Sequence, residues 1–319
     1  MDLLMTVIGL AALVGAGDSL VRGAVALSLK LGVPALIVSL TIVAFGTSAP
    51  ELLVGIEAAL SDADGIVFGN IVGSNIANVL LVLGAPALIS RIGAGDDDSR
   101  SDWRLMMLAS VAFIALCAVG PLLWWHGIVL LAGLLYMLTD AYRRADAHRR
   151  ANGAEAAELI ELEDADPTMA PWKITVLIVV GVLGLPLGAH FLIEGARGVA
   201  AAAGVSEAAI GLTLVAVGTS LPELVTTVMA ALRRQADVAI GNVIGSNLFN
   251  ILAIMGVVSL VAPLDVPEGF LALDLWVMLA CSALLYPVVF RGAELGRGVG
   301  AGLIALYLLY AVAVLVPRM

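Results

Sequence analysis

The sequence predicts an all-α polytopic membrane protein of about ten transmembrane helices, arranged as two inverted five-helix repeats with broken helices at the midplane. Three observations carry that expectation. Of 319 residues, 61% are hydrophobic and 13% charged, with a mean hydropathy of +1.06, against the roughly half-apolar, quarter-charged make-up of soluble domains. Apolar stretches near the roughly 20 residues that cross a bilayer recur along the whole chain. The sequence also repeats itself at an offset of 172 residues. Long uninterrupted apolar runs indicate helices, because barrel strands would alternate over about ten residues.

Taken in order, the first span, 3–29, continues past Leu20 with no A-x-A-like cleavage site and reads as a retained helix rather than a removed signal peptide. Spans 34–60 and 65–89 carry polar interruptions, "GTSAPEL" from Gly46 and "GNIVGSNIAN" from Gly69. Spans 103–124 and 127–142 close a first repeat over residues 1–142. Residues 143–171 form a linker, whose polar part runs from Arg143 to Pro167 with its basic residues ahead of its acidic ones, as a solvated segment would. The second repeat, 172–319, contains spans 172–203, 207–232, 237–262, 270–290 and 299–316. Cys117 and Cys281 fall inside spans and suggest neither a disulfide nor a metal framework.

The repeat aligns Gly32–Gly84 with Gly204–Gly256 without a gap, identical at 23 of 53 positions. The identities cluster in "GTSAPEL" with "GTSLPEL" and in "GNIVGSNIANVLLVLG" with "GNVIGSNLFNILAIMG". With the N-terminus outside, 14 of the 16 Lys and Arg residues fall on the cytoplasmic side, leaving Arg197 and Arg318 outside. Five spans per half then invert the second half relative to the first and put both termini on the extracytoplasmic side. Equivalent turns support this, since Ser61-Asp62 in one half is Arg233-Arg234 in the other. A cell inner (plasma) membrane is the expected location. The net charge of −10 comes partly from the linker and from Asp96-Asp97-Asp98 and says little about partners.

Proline inside a helix cannot donate to the carbonyl four residues earlier, so Pro50 frees the carbonyl of Gly46 and Pro222 that of Gly218. Broken backbone at membrane depth is tolerated where it lines a cavity or is buried in protein. Each break lies within a turn of Thr47, Ser48 and Glu51, or of Thr219, Ser220 and Glu223. An ionisable group at the bilayer centre costs about 2.5–3.5 kcal/mol on insertion scales, so Glu51 and Glu223 are functional candidates. A lone glutamate could serve a structural helix–helix hydrogen bond; two placed symmetrically beside helix breaks argue for a shared site. In the second block, Asn70, Ser74, Asn75 and Asn78, with Asn242, Ser246, Asn247 and Asn250, form polar stripes among small residues. Packing alone would explain Asn70, Asn75, Asn242 and Asn247, whereas Asn78 and Asn250 are placed further along to meet the glutamates. This oxygen-rich set suits Ca2+ or Na+ better than transition metals or Mg2+. His126, His148 and His190 accompany neither motif.

These two blocks resemble the α-repeats of the cation/Ca2+ antiporter superfamily, above all its prokaryotic sodium/calcium exchanger branch. The resemblance covers nearly the whole chain. It implies a secondary active antiporter exchanging Ca2+ for Na+ by alternating access, from a midplane site between four broken helices. By position it implies cation ligation by Thr47, Ser48, Glu51 and Asn78 and by Thr219, Ser220, Glu223 and Ser246, with Ser74 the counterpart of Ser246 and with backbone carbonyls of Ala44 and Ala216. Asn250 stands where some members carry Asp, which leaves two carboxylates at the site and leaves the coupling ion open. It also implies that the first and sixth helices slide; Asp18 with Arg22 and His190 with Glu194 are spaced to pair on them. Glu57, matched by Met229, lies toward the entrance. A channel has no need of two inverted halves, and an intramembrane enzyme would want a His pair or Ser/Lys dyad beside the glutamates. The alternative is a Ca2+/H+ or K+-dependent exchanger using the same two glutamates. Ca2+, Na+ and the lipid bilayer are the expected partners; a bound cofactor and nucleic acid are not expected.

Overall fold

The computed structural model describes residues 2–93, 97–152, 169–202 and 220–315. Helix α1 (Asp2–Leu31) ends at Gly32, whose φ of 66° is one that a residue without Cβ adopts freely. Pro34 then caps α2 (Ala35–Thr47), and α2 meets α3 (Ala49–Leu60) at a break where the two axes diverge by 44°. Helices α4 (Asp64–Ala87), α5 (Asp97–Val119) and α6 (Trp124–Asn152) complete the first half. The second half contains α7 (Pro171–Ala202), α8 (Leu221–Leu232), α9 (Ala236–Val261), α10 (Phe270–Arg291) and α11 (Arg297–Leu315). Among the described residues, eight helices are long and apolar enough to span a bilayer, nine with the bent α2–α3 pair. The expected span 207–232 is seen in its second part as α8; its first part lies outside the described residues.

Two boundaries differ from expectation. Helix α5 begins at Asp97, ahead of 103, and α6 continues to Asn152, past 142. Both extensions are polar, so hydropathy does not register them, and they hold each other. Arg144 bridges to Asp98 at 3.2 Å, to Asp140 at 3.0 Å and to the buried Asp102, and His148 Nε2 meets Asp98 at 2.8 Å. The expected linker is therefore helical over 143–152, and its stretch 153–168 lies outside the described residues.

The repeat is visible in the backbone. Asp62 (φ 53°) and Arg234 (φ 56°) are equivalent left-handed turn residues, each followed by a residue whose N–H reaches back, Ala63 to Ala58 at 2.9 Å and Gln235 to Ala230 at 2.8 Å. Two pairs of equivalent helices cross in antiparallel fashion, as inverted halves require. In one pair, Asn75 of α4 meets Asn250 of α9 while Asn78 meets Asn247. In the other, a Cβ at Gly188 of α7 would lie 2.8 Å from the Leu13 nitrogen and one at Gly181 2.5 Å from Leu20 Cβ, so α1 and α7 pack backbone to backbone along opposite directions. Isolated bridges Ile92–Leu295 and Leu122–Leu264 tie loops of one half to loops of the other. Helices α4 and α9 form the centre: 72% and 83% of their most apolar stretches are buried, against 11% for α11, whose Leu309 and Val312 face outward. Cys117 and Cys281 are free and buried, and His126 accepts the Leu123 N–H at the start of α6.

Candidate cation site

Helices α3 and α8 begin with the same geometry. Ser48 (φ −87°, ψ 5°) and Ser220 (φ −85°, ψ 3°) occupy N-cap positions, each followed by a proline and then a glutamate in the first helical turn. Serine with glutamate three residues on is the pattern of a capping box, in which both side chains satisfy backbone N–H groups. Neither serine caps here. Ser48 Oγ donates instead to Glu223 Oε1 of the other half at 3.3 Å, and Ser220 Oγ has no partner among the described residues. The capping serine of α3 is thus diverted to the carboxylate of the other half, and the positive ends of α3 and α8 favour both carboxylates.

The surrounding helices hold this arrangement from outside. Asn70 donates to the carbonyl of Glu51 at 3.0 Å, and the equivalent Asn242 donates to the carbonyl of Glu223 at 3.5 Å and to Thr227 Oγ1 at 3.1 Å. Thr47 Oγ1 reaches Ala44 O at 3.3 Å, Asn242 Oδ1 at 3.4 Å and Ser246 Oγ at 3.4 Å, which joins α2 to α9. Helices α4 and α9 each contain a widened turn, Asn78–Val82 and Phe249–Ile254, beginning beside Asn78 and Asn250. Such turns re-aim side chains and recur at functional sites.

Of the candidate ligands, Ala44, Thr47, Ser48, Glu51, Ser74, Asn78, Ser220, Glu223, Ser246 and Asn250 are all buried at no more than 6% exposure. Thr219 and Ala216 lie outside the described residues. Glu51 Oε1 and Oε2, Glu223 Oε2, Asn78 Oδ1, Asn250 Oδ1 and Ser220 Oγ are buried oxygens without a hydrogen-bond partner among the described residues. Unpaired buried polar groups are strongly disfavoured, carboxylates most of all. Six together, on four helices from both halves, make a donor set for a hard cation. Among the described residues there is no cluster of three His, Cys, Asp or Glu of the kind that transition metals select.

Sequence reasoning placed Asn78 and Asn250 near the glutamates but gave no sign that their NH2 groups face the opposite half. It also gave Asp18 a partner in Arg22, found at 3.9 Å, and missed Arg233, whose Nε lies 2.6 Å from Asp18. Charge complementarity on separate helices leaves no local spacing to find. His190, Glu194 and Glu57 are exposed, away from the buried set.

A family model described as sodium/calcium exchanger protein matches residues 1–139 and 173–316. The chain is 34% identical to the putative antiporter CaxA of Alkalimonas amylolytica, over 92% of its own length and 91% of that relative. It is 33% identical to the sodium/calcium exchanger MaX1 of Methanosarcina acetivorans, over 98% and 97% respectively. A solved structure of the sodium-calcium exchanger NCX_Mj, soaked with zero Na+ and Ca2+, superposes with a TM-score of 0.81 at 31% identity, covering 98% of each chain. Inverted helix pairs, matching helix starts at Ser48 and Ser220 and these full-length likenesses agree: the chain belongs to the sodium/calcium exchanger family of membrane cation antiporters, within the cation/Ca2+ antiporter superfamily.

Proposed function

We propose that the chain exchanges Ca2+ for Na+ by alternating access around one buried site. Glu51 and Glu223 supply the charge; Thr47, Ser48, Ser74, Asn78, Thr219, Ser220, Ser246 and Asn250, with the carbonyls of Ala44 and Ala216, supply neutral oxygens. The observation that carries this reading is the set of partnerless buried oxygens on α3, α4, α8 and α9, with Ser48 of one half donating to Glu223 of the other. Calcium takes 6–8 oxygens in flexible geometry, and two carboxylates balance its charge. The halves are 1–142 and 172–319, joined by a cytoplasmic linker at 143–171, with both termini extracytoplasmic in the inner (plasma) membrane. Sodium as the counter-ion accords with the names of the relatives.

The test is Ca2+ flux in vesicles holding the purified protein, with Na+, K+ and H+ gradients imposed in turn. An outward Na+ gradient should drive Ca2+ uptake. Uptake driven by H+ alone, or requiring K+, would replace the sodium reading with the corresponding exchanger acting through the same two carboxylates.

A further inference from the structure

We infer that Asn75 and Asn247 are positioning residues that aim the carbonyl oxygens of Asn78 and Asn250 at the cation, each acting across the interface on the ligand of the opposite half. This rests on the reading of Asn78 and Asn250 as ligands. The polarity of a hydrogen-bond chain sets these orientations. A backbone carbonyl can only accept, so the group facing it must be the NH2 of an amide. Asn247 Nδ2 lies 3.4 Å from the carbonyl of Asn75 and 3.7 Å from Met106 Sδ, both acceptors. Its orientation is thereby fixed, and Asn247 Oδ1 is turned the other way, where it accepts from Asn78 Nδ2 at 3.0 Å. With its NH2 engaged, Asn78 must present Oδ1 on its remaining side, and that oxygen is one of the buried partnerless ones.

The same chain runs in the other direction. Asn75 Nδ2 lies 3.4 Å from the carbonyl of Asn247 and 3.5 Å from Met278 Sδ; Asn75 Oδ1 accepts from Asn250 Nδ2 at 2.9 Å; and Asn250 Oδ1 is left without a partner. Every member has its counterpart 172 residues away, the two methionines included. All four amides are at most 1% exposed, so water does not compete for their orientation. An amide free to rotate would present NH2 to a cation half the time, and NH2 repels it. The brace removes that state. It also restricts chemistry at position 250, because a carboxylate there cannot donate to Asn75 Oδ1.

The experiment is a pair of double-mutant cycles read by Ca2+ titration calorimetry on the purified protein, with thermal unfolding alongside. Asn247→Leu removes the brace and keeps an apolar side chain of similar size. It should weaken Ca2+ binding about tenfold, some 1.4 kcal/mol, in an otherwise wild-type chain, and should have little further effect once Asn78→Ala has removed the ligand it aims. Asn75→Leu with Asn250→Ala gives the same test in the other half, should one brace variant fail to fold. Equal losses from Asn247→Leu with and without Asn78 would overturn the inference, as would unchanged affinity in the single variant. If Asn78→Ala and Asn250→Ala themselves left affinity unchanged, the ligand assignment would fail instead, a distinct outcome. A fall in melting temperature without a change in affinity would mark both asparagines as packing residues and would also overturn the inference.

Discussion

Replacing Gly245 by alanine tests how closely the two halves must approach for the cation site to form. Gly245 precedes Ser246 on α9 and faces α2. A Cβ there would lie 2.5 Å from the Leu40 carbonyl oxygen, 2.7 Å from Ala44 Cβ and 2.9 Å from Leu40 Cα. Two of these are backbone atoms, which cannot turn aside as the end of a side chain can. An ordinary contact needs about 3.4 Å, so α2 and α9 must separate by roughly 0.9 Å. Ligand distances in a metal site tolerate about 0.2 Å, and overpacking of this kind costs about 1–3 kcal/mol. If that strain is relieved by parting Ala44 and Ser246, both assigned to the cation, Ca2+ affinity should fall between about fivefold and 150-fold. The melting temperature should drop by a few degrees at most. Calorimetric titration of the purified protein measures the first and thermal unfolding the second. Gly302→Ala on the exposed face of α11, with nothing described within 4 Å of its Cβ, is the matched control and should leave affinity alone. Wild-type affinity in folded Gly245→Ala would refute the argument that α2 and α9 are held at contact distance for the sake of the site.

Three further expectations follow. Glu51→Gln and Glu223→Gln should each abolish Ca2+-coupled exchange in vesicles while the protein inserts and purifies normally; near wild-type exchange by either would break the shared-site model. A cysteine at Ser61 should be labelled by an impermeant reagent from outside and one at Arg233 from the cytoplasm, since equivalent turns of inverted halves face opposite sides; labelling of both from one side would contradict the topology. If Ca2+ is held by Glu51 and Glu223 as proposed, protons compete with it there, so Ca2+ affinity should fall as pH falls, and more shallowly in Glu51→Gln, where a single acidic group remains. A wild-type affinity that did not fall as pH was lowered into the ordinary carboxylate range, about pH 4–5, would sever Glu51 and Glu223 from the cation.

The parts of the fold and site that were legible in the sequence are those with local causes. Pro50 announces the break between α2 and α3, and Pro222 the start of α8, because a missing N–H acts on the carbonyl one turn away, and Glu51 and Glu223 stand out because charge at that depth is expensive. Helix number and inversion followed from hydropathy and from the basic loops. The polar extensions of α5 and α6 escaped, since Arg144, Asp98 and His148 stabilise each other across two helices without being apolar. The amide brace was illegible for a related reason. The three asparagines of each stripe are interchangeable in composition, and which of them meet depends on where two helices 172 residues apart cross. The widened turns beside Asn78 and Asn250 have no signature in residue type at all.

The partnerless oxygens also bear on leakage. A carrier that crossed the membrane empty would dissipate the gradient it is meant to use. With both glutamates at 1% exposure, closing the site without an ion strands charges away from water, at an effective cost of several kcal/mol per ion. Each 1.4 kcal/mol or so on a barrier slows a step about tenfold. The return journey therefore has to be made with a cation aboard. On the proposed reading, coupling of the two fluxes then needs no separate gate: it arises from the poor solvation of an unloaded site.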